Sequence, residues 1–238
     1  MAGELLLERY SGPAEGVSSK SSKTDLVSEA DRATEAAILG LLTRERPDDG
    51  ILGEEGSSRA GSSGRRWVVD PLDGTINYLY RFPAWCVSVA LEDAEGGLAG
   101  VVHDPLRGET FTASRGEGAF VNGARMQVNA EESLELALVA TGFGYQAEVR
   151  AAQSELLTQV LPRVRDIRRA GAAALDLSWV AAGRLDAYFE RGLKPWDWAA
   201  ARLLIREAGG ALAELDGEPP GLAASNPALL PKLLELVA

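Results

Sequence analysis

The chain has 238 residues, 46 % hydrophobic and 25 % charged, the balance of a soluble globular protein long enough to bury a substantial core. A formal net charge of -11 disfavours non-specific binding to nucleic acid, and no run of about eighteen uncharged apolar residues marks a membrane span. The single cysteine, Cys86, excludes an internal disulfide, and the single histidine, His103, excludes a metal site built on several histidines.

The first ten residues carry Glu4 and Glu8 and lack a basic start followed by an apolar stretch, so no secretory signal is expected and a cytoplasmic location is. Residues 12–23, rich in Gly, Ser and Lys, read as an exposed, mobile connection. Ser28 opens a helix, with Asp31 three residues on at capping-box spacing. Ala33, Ala36, Ala37, Ile38, Leu41 and Leu42 supply the helix with an apolar stripe, and Pro47-Asp48-Asp49-Gly50 ends it. Ile51-Leu52-Gly53 reads as a short strand leading to Glu54-Glu55, and residues 56–66 as a polar loop. Trp67-Val68-Val69 is a buried-strand pattern that runs into Asp70-Pro71-Leu72-Asp73-Gly74-Thr75. Cys86 lies in an apolar run and reads as a core residue. Residues 87–104 and 110–121 hold short β-type runs separated by Gly-containing turns, the texture of antiparallel strands. After Asn129 the pattern alternates: a strand at 136–140, a helix around 151–161, a helix over 172–182, a strand at 185–189, and a helix over 198–208 ended by Gly209-Gly210. This places a soft boundary near residue 130, between halves 1–130 and 131–238, with no linker long enough to separate independent domains.

Four acidic features stand out: Asp31, Glu54-Glu55, the Asp70 to Thr75 segment, and Trp196-Asp197. Taken singly they are bland. A Glu-Glu pair is ordinarily a solvated surface, Asp31 complements a helix dipole, and Asp197 reads as a helix N-cap. The D-P-L-D-G-T segment says more. A strand that ends there sets two carboxylates at the mouth of a sheet, with Pro71 restricting φ, Gly74 permitting a tight turn, and N–H groups at Gly74 and Thr75 available to a phosphate oxygen. Clustered carboxylates repel one another unless neutralised, and oxygen-only donors suit hard cations such as Mg2+ or Mn2+. Two such ions about 3.5–4 Å apart hold a phosphoryl group and activate water.

These motifs, with Thr24-Asp25-Leu26-Val27-Ser28-Glu29-Ala30-Asp31, Arg169-Ala170-Gly171-Ala172-Ala173-Ala174-Leu175-Asp176 and Lys194-Pro195-Trp196-Asp197-Trp198-Ala199-Ala200, occur in the order found in the inositol monophosphatase family, which the chain resembles from about residue 4 to its end. The resemblance implies a layered α/β sandwich of the sugar-phosphatase type. An antiparallel sheet would form the N-terminal half, carrying Asp31, Glu54 and the DPLDGT loop. A smaller α/β layer would form the C-terminal half, carrying Glu190 and Asp197, with the site between them. It implies a Mg2+ enzyme, with Mn2+ as a substitute and two to three ions per subunit, acting as a homodimer on a small phosphorylated polyol, and no role for nucleic acid or membrane. Glu54 and Asp70, with the Leu72 carbonyl, would ligate a first ion. Asp70, Asp73 and Asp197 would hold a second, Glu54 would also face a weaker third, and Glu55 would be a nearby support. Thr75 and Asp31 would orient and help deprotonate the attacking water. Gly74 and Thr75 would donate N–H groups to the phosphate, with Asp73 and Asp197 also facing the substrate, and Ala173 and Glu190 would meet hydroxyls of the polyol.

The chain departs from the family in having Ile76 where a second threonine is common, and its Glu4 to Tyr10 segment corresponds to the last turns of a longer helix. Nucleotide-type relatives read D-P-L-D-G-T-K-E-F, whereas this chain continues Ile76-Asn77-Tyr78. Inositol monophosphate is therefore the expected substrate, with fructose 1,6-bisphosphate and histidinol phosphate as alternatives within the same chemistry. Outside it stand a non-catalytic regulatory protein on this fold and a hydrolase built on serine and His103. The latter lacks a G-x-S-x-G elbow.

Overall fold

The structure is a computed structural model that describes residues 1–12, 15–20 and 26–238. Helix α1 (Ala2–Tyr10) is followed by a two-residue strand β1 (Ser18–Ser19) paired antiparallel with β2 (Leu26–Val27). Helix α2 (Glu29–Glu45) leads to β3 (Gly50–Gly53), β4 (Ser58–Arg59) and β5 (Arg66–Asp73), and the short α3 (Thr75–Leu79) begins as β5 ends. A meander of β6 (Cys86–Asp93), β7 (Gly96–Asp104), β8 (Glu109–Ser114), β9 (Gly118–Val121) and β10 (Ala124–Arg125) completes a first sheet. Then come β11 (Leu138–Thr141), α4 (Ala147–Val160), β12 (Asp166–Arg168), α5 (Ala173–Ala181), β13 (Ala187–Arg191), α6 (Pro195–Glu207), β14 (Ala211–Leu215), β15 (Gly221–Ser225) and α7 (Leu230–Val237).

The first sheet has eight strands in the order β10-β9-β8-β7-β6-β5-β3-β4, all antiparallel neighbours except the parallel pair β3 and β5. The second has five, in the order β12-β11-β13-β15-β14, parallel on the β12-β11-β13 side and antiparallel on the other. Both sheets are covered on two faces, and single strands record it. Alternate residues of a strand point to opposite faces. In β5, Val68 packs in the core that α5 and α6 share with both sheets, while Val69 packs against α1 and α2 with Leu6, Ile38 and Trp85. In β13, Tyr188 faces α5 and α6, while Ala187 and Phe189 face α7 with Leu229 and Leu233. The molecule is thus a five-layer sandwich: α1 and α2, the large sheet, α5 and α6, the small sheet, α4 and α7. Helix α5 is buried nearly all round, as a helix between two sheets must be. Each Leu, Val or Phe closed inside contributes about 1.5–3 kcal/mol.

Several expectations are corrected. The buried face of α2 is Ala30, Asp31, Thr34, Glu35, Ile38 and Leu42, whereas Ala36 and Leu41 are exposed. Polar members of that face point toward a site instead of an apolar core. The capping box of Ser28 and Asp31 is present. Helix α6 begins at Pro195, not Trp198, so Asp197 is the third helical residue and caps Lys194 N–H from inside, Pro195 being well suited to a first turn. The polar loop 56–66 contains β4, and the large sheet is not purely antiparallel. In the expected mobile connection, Ser18 and Ser19 are paired in β1 and Lys20 is partly buried; Pro13, Ala14 and residues 21–25, including Thr24 and Asp25 of the first motif, lie outside the described residues. No described helix is long and apolar enough to cross a membrane.

Candidate active site

The central loop is built where the large sheet ends. The ladder between β5 and β6 slips between Asp70 and Asp73, because Pro71 has no N–H to give it. Asp70 Oδ1 accepts the Leu72 N–H at 3.0 Å, which closes the bend. Gly74 then turns with φ of +90°, and α3 starts at Thr75. Thr75 Oγ1 lies 2.7 Å from Asp31 Oδ1 and 3.1 Å from the Leu72 carbonyl. A hydroxyl has one proton, and the shorter contact to a carboxylate takes it. The other oxygen of Asp31 accepts the Ser28 N–H at 2.9 Å and the Ser28 hydroxyl at 2.5 Å. Asp31 and Thr75, 44 residues apart, are thus a buried hydrogen-bonded pair.

Around this pair the charges crowd. Burial, then Glu54, Asp73 and Asp197, push the Asp70 carboxyl well above the usual range. Burial, then Asp73 and Glu54, do the same to Asp197. Asp73 is pushed up to about 7 by burial, opposed by the Ala174 N–H, which its Oδ2 accepts at 2.7 Å. The first turn of α5 therefore aims its N–H groups at Asp73. Glu54 Oε2 is buried with no hydrogen-bond partner among the described residues. Glu54 Oε1 meets the Lys20 ammonium at 2.7 Å, and the same ammonium lies 2.7 Å from Glu55 Oε1. Burial works against the charge of Lys20, but the two glutamates outweigh it and raise its pKa. Glu55 itself is pushed up to about 7 by burial, against the pull of Lys20.

An all-oxygen donor set whose members repel one another, with one orphaned carboxylate oxygen, fits a hard divalent cation. The fit is one of donor chemistry and charge. Among the described residues no three acidic, histidine or cysteine side chains already form a cage for an ion. Lys20 supplies the positive charge at the Glu54 end.

On the far wall, Glu190 stands on β13, accepts the Tyr188 hydroxyl, and is pushed up to about 7 by burial, with Tyr188 and Arg169 opposing. Ala173 opens α5 beside Asp73. The structure therefore gathers Glu54, Asp70, Asp73 and Asp197, couples Asp31 to Thr75, and sets Glu190 within electrostatic reach of Asp73. His103 takes no part: its Nδ1 is 2.9 Å from Thr110 Oγ1, and its ring packs against Gly3.

Sequence reasoning missed five contributors. Lys20 was hidden in a segment read as linker. Glu35 lies one helical turn after Asp31 and accepts the Glu55 N–H at 2.8 Å; a Cβ at Gly53 would stand 2.6 Å from its Oε2. The i, i+4 spacing from Asp31 was the available signal. Asn77 donates from one amide nitrogen to the Ala84 and Ala170 carbonyls, at 2.6 and 2.8 Å, and so ties α3 to the segment before α5. Cys86 is core, as expected, yet its thiol lies 3.7 Å from Asp73 Oδ2. Asp176, an acid inside an apolar helix, is buried with Oδ1 unpartnered and its pKa raised by burial, then by Asp73 and Glu190.

Comparison with known proteins identifies the family and the fold. The model of the inositol monophosphatase family matches residues 1–238. A "Nus factor SuhB" of Xylella fastidiosa is 48 % identical over 197 residues, covering 82 % of this chain and 71 % of the relative. The crystal structure of the extragenic suppressor protein SuhB from Bartonella henselae superposes with a TM-score of 0.93 at 40 % identity, covering 99 % of this chain and 93 % of that one. An IMPase from Thermotoga maritima gives a TM-score of 0.89 at 32 % identity, covering 99 % and 92 %.

Proposed function

This chain belongs to the inositol monophosphatase family, and from that premise we propose that it is a Mg2+-dependent phosphomonoesterase that hydrolyses inositol monophosphate to inositol and phosphate by direct in-line attack of water. The observation that carries the reading is the Thr75–Asp31 pair set beside four mutually repelling carboxylates.

Thr75 gives its proton to Asp31, so its hydroxyl oxygen keeps lone pairs free to accept a hydrogen from the attacking water. As the water's oxygen bonds to phosphorus, the ester P–O bond on the opposite side breaks; the water's proton passes to Thr75 Oγ1, the threonine proton passes to Asp31, and the departing inositol oxygen takes a proton from solvent to leave as the free hydroxyl. Ser28 fixes the far oxygen of Asp31 so that the receiving oxygen stays turned to Thr75. Gly74 and Thr75, at the start of α3, face the phosphate with their N–H groups. Glu54, Asp70, the Leu72 carbonyl, Asp73 and Asp197 would hold two to three divalent ions, which supply Lewis acidity toward the phosphoryl oxygens and acidify the attacking water. Glu55, held by Glu35 and Lys20, positions Glu54. Ala173 and Glu190 contact the polyol. The reading extends to a cytoplasmic homodimer that takes a small phosphorylated polyol and binds neither nucleic acid nor membrane, in keeping with the net charge of -11.

Phosphate release under saturating Mg2+, from inositol 1-phosphate, fructose 1,6-bisphosphate, histidinol phosphate and 3′-phosphoadenosine 5′-phosphate, with and without EDTA, tests the proposal. Inositol 1-phosphate should lead by about tenfold, with EDTA abolishing turnover. Another leading ester overturns the substrate and keeps the chemistry. A second reading, a non-catalytic partner-binding role, is favoured by the name Nus factor that the Xylella relative carries. The complete acidic set weighs against it, because an abandoned site has no reason to keep repelling charges buried. Absence of turnover on every ester in folded, metal-loaded protein would move that second reading to the front.

A further inference from the structure

The carboxylate assigned to the polyol, Glu190, is seated on main chain. Strand β13 runs parallel to β11 with Phe189 opposite Thr141, which brings Glu190 level with the loop that leaves β11. A Cβ at Gly142 would fall 1.9 Å from Glu190 Oε2, so the carboxylate lies directly against bare backbone. The Tyr188 hydroxyl holds the same oxygen from within β13. Where Glu190 points therefore depends on what fixes residues 142–144.

That backbone is gripped by α4, a helix of the outer layer. Gln153 and Val160 are the buried residues of α4, and Gln153 is 9 % exposed. A buried amide costs stability unless it is hydrogen-bonded, and this one is bonded to the loop. Gln153 Oε1 accepts the Gly144 N–H at 2.9 Å, and Nε2 donates to the Gly142 carbonyl at 3.4 Å. The second contact is long, as is that of the Thr141 hydroxyl to the same carbonyl at 3.5 Å, so the Gly144 bond carries most of the hold. One turn earlier Val149 closes on Gly144, where a Cβ would stand 2.7 Å from Val149 Cγ1, and Arg150 donates to the Gly144 carbonyl at 3.1 Å. Gln153 and Glu190 also line one cavity of about 10 Å³, room for a single water at most. With so little free volume, a shift of the loop passes to the carboxylate.

We propose that Gln153 is a positioning residue for substrate recognition: by holding residues 142–144 it fixes the seat of Glu190, and with it the fit of that carboxylate to a hydroxyl of the polyol. This rests on the phosphatase reading with Glu190 facing the polyol. The ligands it favours are phosphomonoesters whose alcohol carries further hydroxyls.

The test compares inositol 1-phosphate with phenyl phosphate, which offers Glu190 no hydroxyl, in saturating Mg2+. The proteins are the wild type, Gln153→Met, Gln153→Glu, and each variant combined with Glu190→Gln. Gln153→Met keeps the length of the side chain and loses both bonds. It should raise KM for inositol 1-phosphate by about fivefold or more and leave kcat within about twofold, because a hydroxyl away from phosphorus is held alike before and during reaction. On phenyl phosphate both constants should stay within about twofold. In the Glu190→Gln background the loss on inositol 1-phosphate should vanish, since Gln153 acts through Glu190. Gln153→Glu keeps the acceptor for Gly144 but turns a second oxygen on the Gly142 carbonyl. It should raise KM by about threefold, and it carries the test if Gln153→Met does not fold. Equal losses on both esters, no loss on inositol 1-phosphate, or a loss undiminished in the Glu190→Gln background would each overturn the proposal. Calorimetry with the inositol 1-phosphate analogue in which CH2 replaces the ester oxygen measures binding without turnover. If no ester is cleaved while the Gln153 variants weaken this analogue only when Glu190 is present, the phosphatase reading fails and the positioning role stands.

Discussion

At the scale of single residues, Asp73 is the point where most influences meet. One of its oxygens is committed to α5 through the Ala174 N–H, and a thiol borders it. Asp73→Asn keeps the shape. Because Ala174 donates to this side chain, the amide must turn its oxygen to α5 and its NH2 toward the acidic cluster. There it opposes a cation. Turnover should drop by at least about 10²-fold, and calorimetric Mg2+ affinity should weaken with it. The metal-free variant should melt no lower than the metal-free parent, since one repelling charge is gone. Turnover within about threefold of the parent would remove Asp73 from the metal set.

At the scale of elements, the junction of β5 and α3 depends on Gly74. An L side chain there adopts the left-handed region at a cost of about 1–2 kcal/mol, and a Cβ would also stand 2.9 Å from the Ala84 carbonyl and 3.2 Å from Ala172 Cβ. Gly74→Ala should therefore lower the melting temperature and displace Thr75 from Asp31, reducing kcat more than it raises KM. A variant with parental kcat would show that α3 tolerates the shift. This junction was legible in the sequence because its causes are local: Pro71 breaks the ladder, Gly74 turns the chain, and the aspartates follow from spacing. The capping box of α2 was legible for the same reason. The rest depends on distant partners. The apolar stripe proposed for α2 held at Ile38 and Leu42 and failed at Ala36 and Leu41, because the rest of the buried face is chosen by Glu55 and Thr75, which need the polar Glu35 and Asp31. Lys20 carries no local sign of its role, and β14 and β15 went unread because Ala- and Gly-rich runs such as those at 211–225 satisfy strand and loop patterns alike.

At the scale of the molecule, the acidic cluster sets how stability answers to pH. Glu55, Asp73 and Glu190 ionise in the folded protein at about 7, against 4.5, 3.8 and 4.5 in an open chain. Between those limits the folded state holds protons the unfolded chain has released, so metal-free stability should fall as pH rises from about 4 to about 7 and then level off. Mg2+ binding offsets the repulsion, and the gap between melting temperatures with and without Mg2+ should widen across that window. A gap that narrows as pH rises would mean that the ions bind elsewhere.

The layering has a consequence for anyone who would cut this gene in two. The expected boundary near residue 130 looks inviting, yet the chain there is stitched to the other half: Val128 N–H to the Ala208 carbonyl, Asn129 to Asp186, and Asn226 to the Asn129 carbonyl. Helices α5 and α6, encoded after that point, are the lining of the sheet encoded before it. A split reporter or a swapped module made at this seam would expose Val102 and Phe111 to water in one fragment and leave Asp197 without Asp70 in the other. The two halves are separate as lines of text and inseparable as material.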